Sequence, residues 1–185
     1  MTSTTETGGP RGLWRAVAWG GAALLLLAPL VAMQFTDEVQ WTGFDFVAFS
    51  VMLAVPLGGL ELALRFAGSF AYRAGVVVAL GTAFLITWSN LAVGIIGDEN
   101  NPLNQMFFGV FAVPLVGAFL VRFRARGMAV AMAVTAAVQF ATAFVALAYE
   151  HFVFIIVGVF ALGWLLSAWL FREAADQAAK SRADG

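Results

Sequence analysis

The chain contains no cysteine and a single histidine, and only 11% of its 185 residues are charged. The missing thiols exclude lipoprotein acylation, disulfide exchange, thiolate metal sites and iron–sulfur ligation together. One histidine, His151, cannot make a haem or zinc site alone, so it reads as a solvated residue of the Tyr149-Glu150-His151 turn. No long apolar run carries a lysine, which excludes a retinal Schiff base in its usual arrangement. No His-Glu-x-x-His or serine-nucleophile pattern supports proteolysis, and the glycines form no phosphate-binding loop. No enzyme activity, cofactor, metal or nucleic-acid partner is therefore expected.

The low charge is itself informative. A soluble domain carries roughly 25% charged residues, whereas here 62% of residues are hydrophobic. Such a composition calls for hydrocarbon as solvent, where the backbone must satisfy its own hydrogen bonds in helices or a closed barrel. The apolar runs are long and do not alternate in polarity, which selects helices.

Six runs have the length of about 20 residues that a bilayer core requires: Val17–Phe35, Phe44–Leu64, Gly75–Ile96, Gln105–Val121, Gly127–Ala148 and Phe152–Phe171. They define an all-α membrane bundle over residues 17–171, flanked by a disordered tail (1–16) and a C-terminal tail (172–185) in which a frayed helical extension is expected. No small-x-small cleavage site follows the first run, where Leu30-Val31-Ala32 places a bulky residue, so that run is read as a retained span.

Charge sets the expected orientation. Arg11, Arg15, Arg65, Arg73, Arg122, Arg124, Arg126, Arg172, Lys180 and Arg182 all fall on one side of a six-span alternation. Asp37, Glu38, Asp98, Glu99 and Glu150 fall on the other. The positive-inside rule then puts both termini in the cytoplasm. Trp14, Trp41, Tyr72, Tyr149 and Trp169 stand near run ends, as interfacial anchors do.

Several residues qualify as functional. Pro56 and Pro114 are candidate hinges, because proline removes a backbone donor and frees carbonyls one turn back; plain packing is the competing reading. Leu53–Gly59 echoes Phe111–Gly117, by duplication of a hairpin or by chance in a chain of this composition. Two small-residue stripes follow helical spacing: Ala79, Ala83, Thr87, Asn90, Gly94, Gly97 in the third run, and Gly127, Ala131, Thr135, Gln139, Ala143 in the fifth. Asn90 and Gln139 are thus expected inside the bundle, as glue between helices or as lining of an ion or solute pathway.

Asp45 and Glu61 complete the pathway candidates, since ionisable groups within spans are functional by default. Against this, Glu61 has i,i+4 spacing to Arg65, and Asp45 can complement a helix dipole from its first turn. The outer loop Gly97–Asn104 is rich in oxygen ligands but matches no calcium-loop spacing; Asn101 before Pro102 is a helix start.

Four stretches carry a resemblance. Ile86–Gly97 continuing through Asn101-Pro102, Thr36–Phe46 with Phe35, Arg122–Ala129, and Trp164–Leu170 resemble an uncharacterised family of small polytopic bacterial inner-membrane proteins over roughly residues 17–173. The resemblance implies a bacterial inner-membrane location and no particular activity.

Three functions follow as expectations. The chain is an accessory or assembly subunit acting through a membrane-protein partner, or a small homo-oligomeric transporter or channel for a small ion or solute. The third, an enzyme acting on lipid through Asp98, Glu99 and His151, has the least support.

Overall fold

A computed structural model describes residues 10–65, 67–98, 100–147 and 151–184. All regular structure among them is helical: α1 Pro10–Ala32, α2 Gly43–Leu64, α3 Phe70–Ala92, a 3-10 turn Pro102–Asn104, α4 Gln105–Val110, α5 Ala112–Leu120, α6 Ala125–Leu147 and α7 His151–Ala183. Six helical segments are long and apolar enough to cross a membrane, with α4 and α5 counting as one. Glu99, Tyr149, Glu150 and the side chain of His151 lie outside the described residues, as do residues 1–9 of the expected tail.

Helix ends differ from expectation where local chemistry extends or cuts them. α1 begins at Pro10, so residues 10–16 are helical rather than part of a tail; proline at a first helical position is preorganised for that start. α3 begins at Phe70, because the Ser69 hydroxyl accepts from Tyr72 N–H, and ends at Ala92 ahead of Gly94, whose φ is 74°. α7 runs without interruption to Ala183, so the C-terminal extension is an ordered helix.

The two prolines behave differently. α2 continues through Pro56 without a break. The fourth span is interrupted at Phe111, between α4 and α5, one turn before Pro114. Proline has no N–H to offer the Val110 carbonyl, and its ring crowds that carbonyl. The chain responds with a tighter contact, Phe111 N–H to Phe108 O at 3.2 Å.

The chain divides into two compact units, Met1–Gly58 and Gly59–Gly185. In the first, Trp41 packs against Phe46 and Phe49, with centroids 5.4 and 5.3 Å away. In the second, α7 packs most extensively on α6 and α3, α6 also packs on α5 and α4, and α4 closes against α3. This places α3 and α6 at opposite corners of a four-cornered bundle. Its interior is filled by Ile86, Phe107, Met132, Val157, Trp164 and Phe171, each at most 2% exposed.

In hydrocarbon, helices gain little from burial as such and associate through close packing and hydrogen bonds. Glycine supplies the close packing. A Cβ at Gly163 would overlap Thr82, and one at Gly117 would lie 2.8 Å from Ala131 Cβ. Ser167 supplies the bond, donating to the Gly75 carbonyl at 2.8 Å.

The turn between α5 and α6 is a Schellman closure: Arg122 N–H reaches Phe119 O and Phe123 N–H reaches Ala118 O, both at 3.1 Å. Arg122 and Phe123 adopt φ of 51° and 57°, a left-handed conformation that glycine normally supplies. The Tyr72 hydroxyl donates to Phe123 O at 2.8 Å and holds the turn. Tyr72 is therefore a buried strut, 3% exposed, and not an interfacial anchor.

Candidate functional site

The pathway candidates resolve into two kinds. Asp45 stands in the first turn of α2. Its Oδ2 accepts from the Thr42 N–H and the Thr42 hydroxyl, each at 2.7 Å, while Asp45 N–H reaches Thr42 Oγ1 at 3.4 Å. This is a reciprocal capping box. The partner missing from the sequence reading was Thr42, three residues upstream, and Thr-x-x-Asp ahead of an apolar run was the signal.

Glu61 and Arg65 lie at the other end of the same helix. With a rise of about 1.5 Å per residue, Asp45 and Glu61 stand roughly 24 Å apart. No group of three or more His, Asp or Glu side chains able to hold a metal occurs among the described residues.

The Gly97–Asn104 loop is organised by Asn104, which sequence reasoning missed. It is 4% exposed. Its Oδ1 accepts from Ile95 and Ile96 N–H at 3.1 and 2.9 Å, and its Nδ2 donates to Asp98 O at 2.7 Å and Ile96 O at 3.3 Å. Asn101 caps the 3-10 turn by accepting from Leu103 N–H at 3.0 Å, as expected. Asp98 Oδ1 accepts from Asn100 N–H at 2.8 Å. Asp98 Oδ1, Asn101 Oδ1 and Asn104 Oδ1 are engaged in shaping the loop.

Asn90 and Gln139 are the second kind. They are 3% and 0% exposed, inside the bundle as their stripes required. The α6 stripe is reproduced, with Ala131, Thr135, Gln139 and Ala143 all buried. The α3 stripe is displaced: the buried face runs through Tyr72, Val76, Thr82, Ile86 and Asn90, while Ala79, Ala83 and Thr87 are half-buried. The close approach of Gly163 to Thr82 turns the helix that way.

The two amides are not satisfied. Neither amide atom of Asn90 has a hydrogen-bond partner, nor has Gln139 Oε1, nor the Trp164 indole N–H. Gln139 Nε2 makes a long 3.4 Å contact to Thr142 Oγ1. A buried donor or acceptor left unpaired costs about 1–3 kcal/mol. Asn104 and Asn90 thus differ sharply: both are buried amides, and the first makes four bonds while the second makes none.

Helix content, span lengths and apolar faces together define an all-α, multi-pass membrane protein. No protein-family model, curated protein or solved structure matches the chain, so the site residues stand on their own geometry.

Proposed function

We propose that the chain is a non-enzymatic protein of a bacterial inner membrane, with both termini cytoplasmic, acting as an accessory or assembly subunit of a membrane complex. The observation that carries this reading is the local use of its polar chemistry. Asp45 serves a helix cap, Asp98, Asn101 and Asn104 shape their own loop, and Glu61 lies at the far end of α2 from Asp45. α1 supports association as well, through its adjacent Gly20 and Gly21 in an otherwise apolar helix. Two glycines weaken a helix by about 1 kcal/mol each, and small residues suit close approach by another helix.

The test is gentle extraction from native membranes with a C-terminal tag, followed by mass spectrometry. A stoichiometric membrane-protein partner is the expected result, and elution alone overturns the reading. Orientation is tested separately, since the chain lacks cysteine. Glu38→Cys should react with an impermeant maleimide in intact cells, and Asp184→Cys only after permeabilisation.

A second reading is a small homo-oligomeric transporter or channel for a small ion or solute. The unpaired amides of Asn90 and Gln139 favour it. Flux in liposomes that is unchanged by Asp45→Asn, Glu61→Gln and Asn90→Leu removes these residues from any pathway.

A further inference from the structure

Three contacts set the register of α3 on α7. Tyr72 meets Phe171 edge-on with centroids 5.0 Å apart, Ser167 donates to Gly75 O, and Gly163 lies against Thr82. The pairs descend on one helix as they climb on the other, so the helices are antiparallel. About two turns beyond Thr82, the same register brings Asn90 level with Ile155. On the other side of α7, Phe140 meets Phe154 with centroids 5.6 Å apart. Gln139 therefore stands within about one helical turn of the same level.

Asn90 and Gln139 thus face one interior from opposite corners of the bundle, within about one helical turn of each other in height, both buried and both with unpaired amide atoms. Further along α7, the Trp164 indole N–H is buried and unpaired near the level of Thr82. Thr135 lies one turn from Gln139 on the same face of α6, fully buried. The Thr82 and Thr135 hydroxyls donate to Val78 O and Ala131 O, each at 2.8 Å, which leaves their oxygens able to accept.

The chemistry of these groups specifies a ligand. Asn90 and Trp164 offer donors; Asn90, Gln139 and the threonines offer acceptors. Between Arg73 and Ala92 of α3, beyond Arg126 of α6, and from Phe152 to Phe171 of α7 there is no charged side chain, so these stretches of the three helices suit a neutral ligand better than an ion.

We propose that Asn90 and Gln139 form an interior binding site for a small neutral molecule that both donates and accepts hydrogen bonds. Water is its simplest occupant. A buried water typically makes about three hydrogen bonds, a number these side chains can supply. The site is independent of whether the chain works alone or in a complex.

The experiment is NMR of the full-length chain in lipid nanodiscs with labelled Asn and Gln side chains, reading magnetisation transfer from water to the amide protons. Asn104, buried but fully bonded, is the internal control. Transfer to Asn90 and Gln139 but not to Asn104 is expected. Asn90→Leu should then reduce the transfer at Gln139. Urea or glycerol added at millimolar concentration assigns the occupant: displacement of the water signal marks a solute site, and an unchanged signal marks a water site. Asn90 and Gln139 as silent as Asn104 in the unsubstituted protein would overturn the proposal, whatever the variant does.

Discussion

At the start of α2, a carboxylate in a helix long and apolar enough to span a membrane is engaged by its own N-cap. Asp45 accepts two hydrogen bonds from Thr42 within one turn. In the interior around α3 and α6, the Asn90 amide has no partner and the Gln139 carbonyl oxygen has none. By residue type alone, Asp45 is the more conspicuous functional candidate. By what each group still lacks, Asn90 and Gln139 are. Formal charge measures the cost of placing a group; its unmet hydrogen bonds measure what it can still bind.

Isosteric exchange probes this comparison from both ends. Asn90→Asp places a charge in an interior with no cation and should cost about 3 kcal/mol, read as a lower midpoint in SDS-induced unfolding from bicelles. A midpoint within error of the original would mean that Asn90 reaches bulk water or a cation. Next in size is Gly163→Val, expected to lose about 1–3 kcal/mol by overpacking against Thr82. Gly158→Val, on the same helix with open space at the Cβ, should leave the midpoint near that of the parent. Equal effects would show that Gly163 acts through helix propensity and not through close packing.

Thr42→Ala removes one half of the cap and should cost about 1 kcal/mol, with faster amide exchange confined to the first turn of α2. The smallest effect belongs to Asp45→Asn. An asparagine at that position still accepts from Thr42, so a loss of about 0.5 kcal/mol or less is expected. If Asp45→Asn instead abolished a transport activity while leaving the cap protected from exchange, the assignment of Asp45 to capping would fail.

The six helices were legible because their evidence is local: length, apolarity and the placement of Arg and Asp between runs. The α6 stripe was legible for the same reason, since Ala131, Thr135, Gln139 and Ala143 repeat at the spacing of one face. The α3 stripe was not, because its rotation is decided by Gly163, which lies far along the sequence. Burial of Tyr72 depends on a carbonyl presented by the left-handed Phe123, which no pattern of hydropathy announces. Asn104 could not be distinguished in advance from Asn100 or Asn101: its role requires Ile95 and Ile96 to turn their N–H groups toward it. Thr42 is the exception, a short-range signal that was present and passed over.

α7 has 33 residues, so it is about 50 Å long and exceeds a hydrocarbon core of about 30 Å by several turns. Its buried positions end at Ala174, and the helix continues without a break past Lys180 and Arg182. Mechanically this is a shaft with no universal joint. A twist applied at Lys180 would be delivered as rotation of Trp164 and Ser167 among the helices they touch. The bundle could thus be addressed from outside the bilayer by torque on one rod.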